Sequence, residues 1–243
     1  MTAPATARPG RFPYGIDAPY VPSILLGVGL AAIVLVVIGV ASGWLLVIAL
    51  FFWAQAAIYL HATLRGKFRV WEGLLEELQL HGDERVLDVG CGRGAVLIAC
   101  AQRLPAGQAV GIDLWRSQDQ SGNDPSVTRA NATAEHVADR VELHTADMTE
   151  LPFEDQTYDV VLSSLAIHNL PELSARYVAL AEAVRVLKPG GRLVVADIRT
   201  TRNYAEHLRG LDAGAVSRRS AGPAMWWGGP WQSTAVVTLT KAR

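Results

Sequence analysis

Carboxylates, glycines and one histidine stand in this sequence where they could do chemistry, each just after a short apolar run. The stretch VLDVGCGRG at 86–94 places Gly90, Gly92 and Gly94 around Cys91. Glycines at such a turn let the backbone bend tightly and let a ligand approach, because no Cβ fills the space. The spacing of Gly90, Gly92 and Ala95 also satisfies a dinucleotide-binding pattern, and Asp113 follows about 20 residues on, where an acid would hold a ribose. Spacing alone therefore leaves a nicotinamide or flavin enzyme open. Asp88 argues the other way, since a carboxylate two places before the first glycine suits a cationic amino-acid group better than a pyrophosphate. Cys91 has no neighbour in the sequence that would activate a thiolate, so it reads as a passive small residue of the turn. His168, in SSLAIHN at 163–169, is the first candidate for accepting a proton, because imidazole titrates near neutral pH. Tyr204 and His207 are secondary candidates.

Residues of this kind need elements that hold them together. Short apolar runs at 85–89, 109–112, 141–144, 159–163 and 192–196 alternate with helical patterns. Such alternation implies parallel strands with helices on both faces. In such sheets ligands bind outside the carboxyl ends of the strands, near the point where strand order reverses. Asp88, Asp113, Asp147 and His168 all fall at or just after the ends of these runs. Residues 235–239 read as a last, antiparallel strand. Asp124 and Pro125 look like an N-cap and first helical residue, opening a helix to about Arg140. The polar stretch 116–125 before it reads either as a mobile loop over the ligand, hinged at 121–123, or as a static surface loop. MWWGGPW at 225–231 concentrates tryptophans suited to an apolar wall, a lid or a lipid contact.

The stretch at 86–94 resembles the first motif of class I S-adenosylmethionine-dependent methyltransferases, acid-x-Gly-x-Gly-x-Gly, with every position filled. The resemblance continues in order through VGIDL at 110–114, TADMTELPF at 145–153, YDVVLSS at 158–164 and LKPGGRLVV at 187–195. It covers about residues 70–243 and is most similar to the small-molecule branch typified by quinone-biosynthesis methyltransferases. What it implies is an α/β, Rossmann-like seven-stranded mostly parallel sheet with an antiparallel last strand. The cofactor would be S-adenosylmethionine, with S-adenosylhomocysteine as product. The family's pattern would set Asp88, Gly90, Cys91, Gly92 and Gly94 along its methionine and ribose and Asp113 on the ribose hydroxyls. It would lay Leu114 or Trp115 along the adenine, with Asp147 and Met148 near its amino group, and bring Ser163 from the fourth strand. Methyl transfer would be an in-line displacement onto a small or lipophilic acceptor, with His168 and Tyr204 as the residues to act on it. A membrane-tethered module that binds the cofactor without chemistry fits the same motifs.

The bulk properties divide the chain. Half of its 243 residues are hydrophobic and the mean hydropathy is +0.20, but the excess sits between Asp17 and Arg65, a stretch without Asp, Glu, Lys or Arg. Residues 21–60 are roughly twice the ~20 apolar residues that one membrane span needs. Gly39, Ser42 and Gly43 divide them into two arms of about 18 residues, each close to ~27 Å long as a helix. The segment is too long and begins too late for a secretory signal. Four segments are expected: a tail at 1–20, a transmembrane hairpin at 21–61, a basic and amphipathic connector at 62–81, and the catalytic domain at 82–243. Arg8 and Arg11 before the hairpin, and Arg65, Lys67 and Arg69 after it, place both ends in the cytoplasm, with membrane lipid as partner. The amphipathic stretch 70–80 is expected to pack at the domain's edge. A net charge of −1 offers no footprint for nucleic acid. Two isolated cysteines indicate neither a disulfide framework nor a metal site.

Overall fold

The computed structural model describes residues 14–243, so Arg8, Arg11 and most of the expected tail lie outside the described residues. Seven strands form one sheet: β1 (Arg85–Val89), β2 (Gln108–Asp113), β3 (Val141–Thr145), β4 (Tyr158–Ser164), β5 (Leu187–Asp197), β6 (Gly214–Ser220) and β7 (Ala235–Lys241). They lie in the order β3-β2-β1-β4-β5-β7-β6. The first five are parallel, and β7 runs antiparallel to both β5 and β6. The chain moves outward from β1 to β3 and then crosses back to β4. The ends of β1 and β4 therefore form the crevice where order reverses, the place such a sheet offers a ligand.

The sheet sits here because its central strands are apolar on both faces. Successive residues point to opposite sides. Val86, Val160, Leu162 and Val194 meet helices α3 (Lys67–Glu77) and α4 (Ala95–Ala101) on one face. Leu87, Val161, Leu193 and Val195 meet α6 (Leu173–Arg185) and α7 (Thr201–Gly210) on the other. Each large side chain buried in this way contributes roughly 1.5–3 kcal/mol. The amphipathic connector belongs to the first of these cores: Trp71, Leu74, Leu75 and Leu78 are buried in it, and the Trp71 indole donates to Ser164 Oγ at 2.8 Å.

Two elements differ from expectation. Helix α5 (Pro125–Ala134) starts as expected, with Asp124 accepting from Ser126 N at 2.8 Å. It stops short of Arg140 because His136 adopts a left-handed φ of 58° and Val137 N turns back to Ala132 O. Strand β6 appears in none of the apolar runs, because its residues are mostly exposed and include Arg218 and Arg219. It forms the sheet's edge, where charged side chains discourage further pairing.

Ahead of the sheet, α1 (Tyr20–Val37) and α2 (Leu45–His61) pack against each other as a hairpin, 18 and 17 residues long. Helix α1 and the continuous helix Leu45–Glu77 that begins with α2 are both long and apolar enough to cross a membrane. After one π-helical turn, Ala62–Gly66, α2 runs on into α3. The hairpin's base is thereby built into the sheet's core.

Candidate functional site

A cavity of about 600 Å³ opens at the crevice between the ends of β1 and β4. The glycine-rich turn forms its floor. Gly90 takes a φ of 76°, and a Cβ there would lie 2.2 Å from that of Ala166, so only glycine lets β1 and the segment after β4 meet this closely. Cys91 lines the cavity beside it. Burial and the charges of Asp88 and Asp113 push its thiol well above the ordinary range, which makes it the passive residue the sequence suggests.

Asp88 is fully enclosed, lines the cavity and has no hydrogen-bond partner on either carboxylate oxygen. Burial, followed by the charge of Asp113, pushes its carboxyl up to about 7. A buried acid left without partners is a site waiting for a cation or a donor. Asp113 lines the same cavity, held at its mouth: Oδ2 accepts from Gly92 N at 2.8 Å and Oδ1 from Trp115 N at 2.6 Å and Asn123 Nδ2 at 3.1 Å. Leu114 lines the cavity, whereas Trp115 turns away and donates through Nε1 to Thr145 Oγ1 at 2.8 Å. Asp147 and Met148 line it too. Asp147 also builds its own turn, accepting from Thr149 N and Oγ1, and these bonds hold its carboxyl below the usual range.

His168 reaches the cavity from the short helical turn after β4. Its Nδ1 lies 2.6 Å from Asp197 Oδ1, its backbone N donates to Asp197 Oδ2 at 3.0 Å, and Asp197 is fully buried at the end of β5. Four expected residues stand elsewhere. Gly94 caps α4 outside the cavity wall. Ser163 is buried and donates to Val89 O at 3.0 Å, so it joins β4 to β1 while its neighbour Ser164 lines the cavity. Tyr204 is fully buried in the second core, and the His207 ring stacks on Tyr177 at 4.3 Å; neither lines the cavity.

The sequence pointed to one part of the remaining wall, the tryptophan stretch at 225–231, but not to the part built from the hairpin's base. Asp17, Tyr20, Tyr59 and Lys67 line it from the base of the hairpin, and Trp227 from the tryptophan loop packs edge-on against Tyr59 at 5.1 Å. One signal was available: Asp17 stands just before the long apolar stretch and Lys67 just after it, and a hairpin brings the ends of such a stretch together. Asp197 gave no signal, because its link to His168 is made by topology.

The methyltransferase domain family matches residues 87–195. The chain is 34% identical over 156 residues to 27-O-demethylrifamycin SV methyltransferase of Amycolatopsis mediterranei (strain S699), covering 63% of this chain and 52% of that protein. It is 37% identical over 131 residues to demethylmenaquinone methyltransferase of Lactiplantibacillus plantarum (strain ATCC BAA-793 / NCIMB 8826 / WCFS1), covering 53% of this chain and 52% of that one. Residues 87–195 thus form a methyltransferase domain. Its cofactor class is S-adenosylmethionine, which removes the nicotinamide reading that glycine spacing left open. The chain spans about half the length of the curated relatives it matches. Among solved structures, the [4+2]-cyclase SpnF shares the fold at a TM-score of 0.61 and 21% identity, over 74% of this chain and 83% of that one. A geranyl diphosphate methyltransferase solved with GPP and sinefungin does so at 0.56 and 16%, over 70% and 76%. One of these two is named a cyclase, so the fold of the methyltransferase domain does not by itself fix the reaction.

The residues present fit the cofactor. Unpartnered Asp88 offers the charge that a methionine ammonium needs, and Asp113 stands at the cavity mouth as a ribose acceptor. At the glycine turn, Cβ atoms on Gly90 and Gly92 would collide with Ala166 and Gln120, so glycine is what lets these walls close around the cavity.

Proposed function

We propose that this protein is a membrane-anchored methyltransferase that moves the methyl group of S-adenosylmethionine to a hydroxyl of a small, lipophilic acceptor. The observation that carries the reading is the His168–Asp197 pair in the wall of the same cavity that holds unpartnered Asp88. The cofactor supplies a methyl group on a sulfonium sulfur, which leaves with the bonding electron pair. Asp88 and Asp113 would hold and orient it, beside Leu114 and Met148 in the same cavity wall. Asp197 accepts from Nδ1–H, fixing the tautomer that leaves Nε2 of His168 as the ring's acceptor. The hydroxyl proton goes to that Nε2 as the acceptor oxygen attacks, a role that contributes typically about 10²–10⁴-fold. Orientation does the rest. Val21, Leu170, Ile198 and Trp227 supply apolar wall for the acceptor.

The same reading keeps the division into a tail at 1–20, a spanning hairpin at 21–61, a connector at 62–81 and the catalytic domain at 82–243 as part of the proposal. The hairpin exposes Ile24, Leu30, Val47, Leu50 and Phe51. So large a contiguous apolar surface calls for a partner, and lipid suits it. Arg65 and Arg69 stand at its base, and both ends of the chain are placed in the cytoplasm.

Detergent-purified protein given S-adenosylmethionine and a panel of lipophilic phenols and quinols should release S-adenosylhomocysteine. Their fully O-methylated counterparts should release none. Binding of NAD(H) but not of S-adenosylhomocysteine would overturn the reading. Tight binding of S-adenosylhomocysteine with no turnover on any hydroxyl acceptor would favour a binding module instead.

A further inference from the structure

The cofactor loops of the methyltransferase domain are fastened to the base of the hairpin through one acidic side chain. Asp17 lies just before α1, and all its polar atoms are engaged. Its Oδ2 accepts from Thr63 Oγ1 at 2.6 Å and Lys67 Nζ at 2.7 Å, and its Oδ1 accepts from Lys67 Nζ and Gln120 Nε2, both at 3.0 Å. Its backbone N donates to Thr63 Oγ1 at 3.1 Å, and its carbonyl accepts from Tyr59 OH at 2.9 Å. Tyr59, Thr63 and Lys67 follow one another at intervals of four along the continuous helix of α2 and α3, the spacing that puts side chains on one face. The Lys67–Asp17 ion pair is mostly enclosed, with side chains 5% and 18% exposed.

From Asp17 the connection passes to the loop that follows β2. Gln120 donates to Asp17 and at the same time accepts from Arg93 N, in the glycine-rich turn, at 2.8 Å. The amide packs so tightly that a Cβ on Gly92 would come within 2.5 Å of its Oε1. Around it, Ser121 N donates to Ile16 O, Ala18 N to Asp119 O, and Arg93 Nη1 to Ser121 O. Residues 16–18 and 119–121 thus form a short antiparallel pairing centred on Asp17 and Gln120. Asp17, Lys67 and Gln120 line the cavity together with Asp88 and Asp113. A polar, glycine-containing loop of the kind at 116–124 loses conformational entropy when ordered. Here that entropy is already spent before any ligand arrives, which is how preorganisation raises affinity.

We infer that Asp17 is a positioning residue for the cofactor site: through Gln120 it holds the glycine-rich turn and the 116–124 loop in their binding shape, and it does so from the base of the hairpin. The inference rests on the proposed binding of S-adenosylmethionine in this cavity. It makes the anchor part of the cofactor site, so the methyltransferase domain binds cofactor well only while segment 14–18 is docked between hairpin and loop.

The test uses the full chain in detergent, with S-adenosylhomocysteine titrated calorimetrically into the wild type and the variants Asp17→Asn, Gln120→Ala, the double variant, Lys67→Met and Lys67→Arg. Limited trypsin digestion of the unliganded proteins reports cleavage after Arg116. Wild type should bind, with Asp17→Asn and Gln120→Ala each weakening affinity about tenfold, within the span usual for coupled sites. The double variant should be no weaker than the worse single one, because both break the same connection. Lys67→Arg should restore what Lys67→Met loses. Both single variants should be cut faster after Arg116 while keeping a cooperative melt. A wild type that does not bind S-adenosylhomocysteine overturns the underlying cofactor reading. A wild type that binds, beside a folded Gln120→Ala of unchanged affinity and unchanged digestion, overturns the inference alone. Losses that simply add in the double variant also overturn it.

Discussion

In the proposed reaction Asp88 and His168 divide the chemistry between them, and each makes a prediction of its own. Asp88 has a folded carboxyl at about 7, well above the roughly 3.9 of an unfolded aspartate. Its contribution to the unliganded fold is therefore fully present below that unfolded value and is lost as pH rises through about 7. The loss is at most about 4 kcal/mol, at about 1.4 kcal/mol per pH unit. Between pH 5.5 and 8.5 the melting temperature of the unliganded wild type should fall relative to that of Asp88→Asn; parallel curves would contradict it. If the ligand's ammonium pairs with ionised Asp88, binding below pH 7 releases a proton, and affinity for S-adenosylhomocysteine should weaken by about tenfold per pH unit. Calorimetry in buffers of different protonation enthalpy counts that proton. His168→Ala should lower kcat by about 10²–10⁴-fold while leaving S-adenosylhomocysteine affinity unchanged; an equal loss of affinity would make His168 a structural residue. Asp88, Asp113 and His168 were legible in the sequence because acids, glycines and a histidine after apolar runs carry their chemistry in their type. Asp197 was not, because its bond to His168 spans 29 positions and exists only once β4 and β5 lie side by side.

At the scale of elements, legibility followed burial. Strands with two covered faces announced themselves as apolar runs, and β1, buried from Val86 to Val89, matches its expected limits of 85–89. Strand β6, mostly exposed and carrying two adjacent arginines, could not, since its pairing with β7 is made by backbone atoms that any sequence supplies. Helix α3 shows how one element serves both packing and site. Its Trp71 is 2% exposed within the first core and reaches Ser164, which lines the cavity. Trp71→Ala should cost about 3–5 kcal/mol, the range for truncating a buried aromatic. Trp71→Phe should cost less, keeping most of the bulk and losing one hydrogen bond worth about 1 kcal/mol. Urea unfolding of both variants checks the order; equal costs would mean that packing contributes nothing beyond the hydrogen bond.

At the scale of the whole molecule, the hairpin's length and its attachment make a single geometric claim. Its two helices start and end at the cavity wall, where Tyr20 and Tyr59 both stand, while the turn at 38–44 lies at the far end. If the helices span a bilayer, the cavity mouth sits at one membrane surface, within reach of an acceptor dissolved in lipid, and the turn emerges on the other side. The turn carries no charge to hinder its passage. Both native cysteines are free and buried, so introduced thiols report cleanly. In intact cells, Ser42→Cys in the turn should react with a membrane-impermeant maleimide, whereas Glu206→Cys on the exposed face of α7 should react only after permeabilisation. The opposite pattern would invert the topology. Protection of both sites until lysis would mean that the hairpin lies in the inner leaflet without crossing it, as an interfacial anchor does. That outcome would leave the cavity at the same lipid surface, because the contacts of Asp17 with Thr63 and Lys67 fix the cavity to the hairpin's base however deep its tip goes.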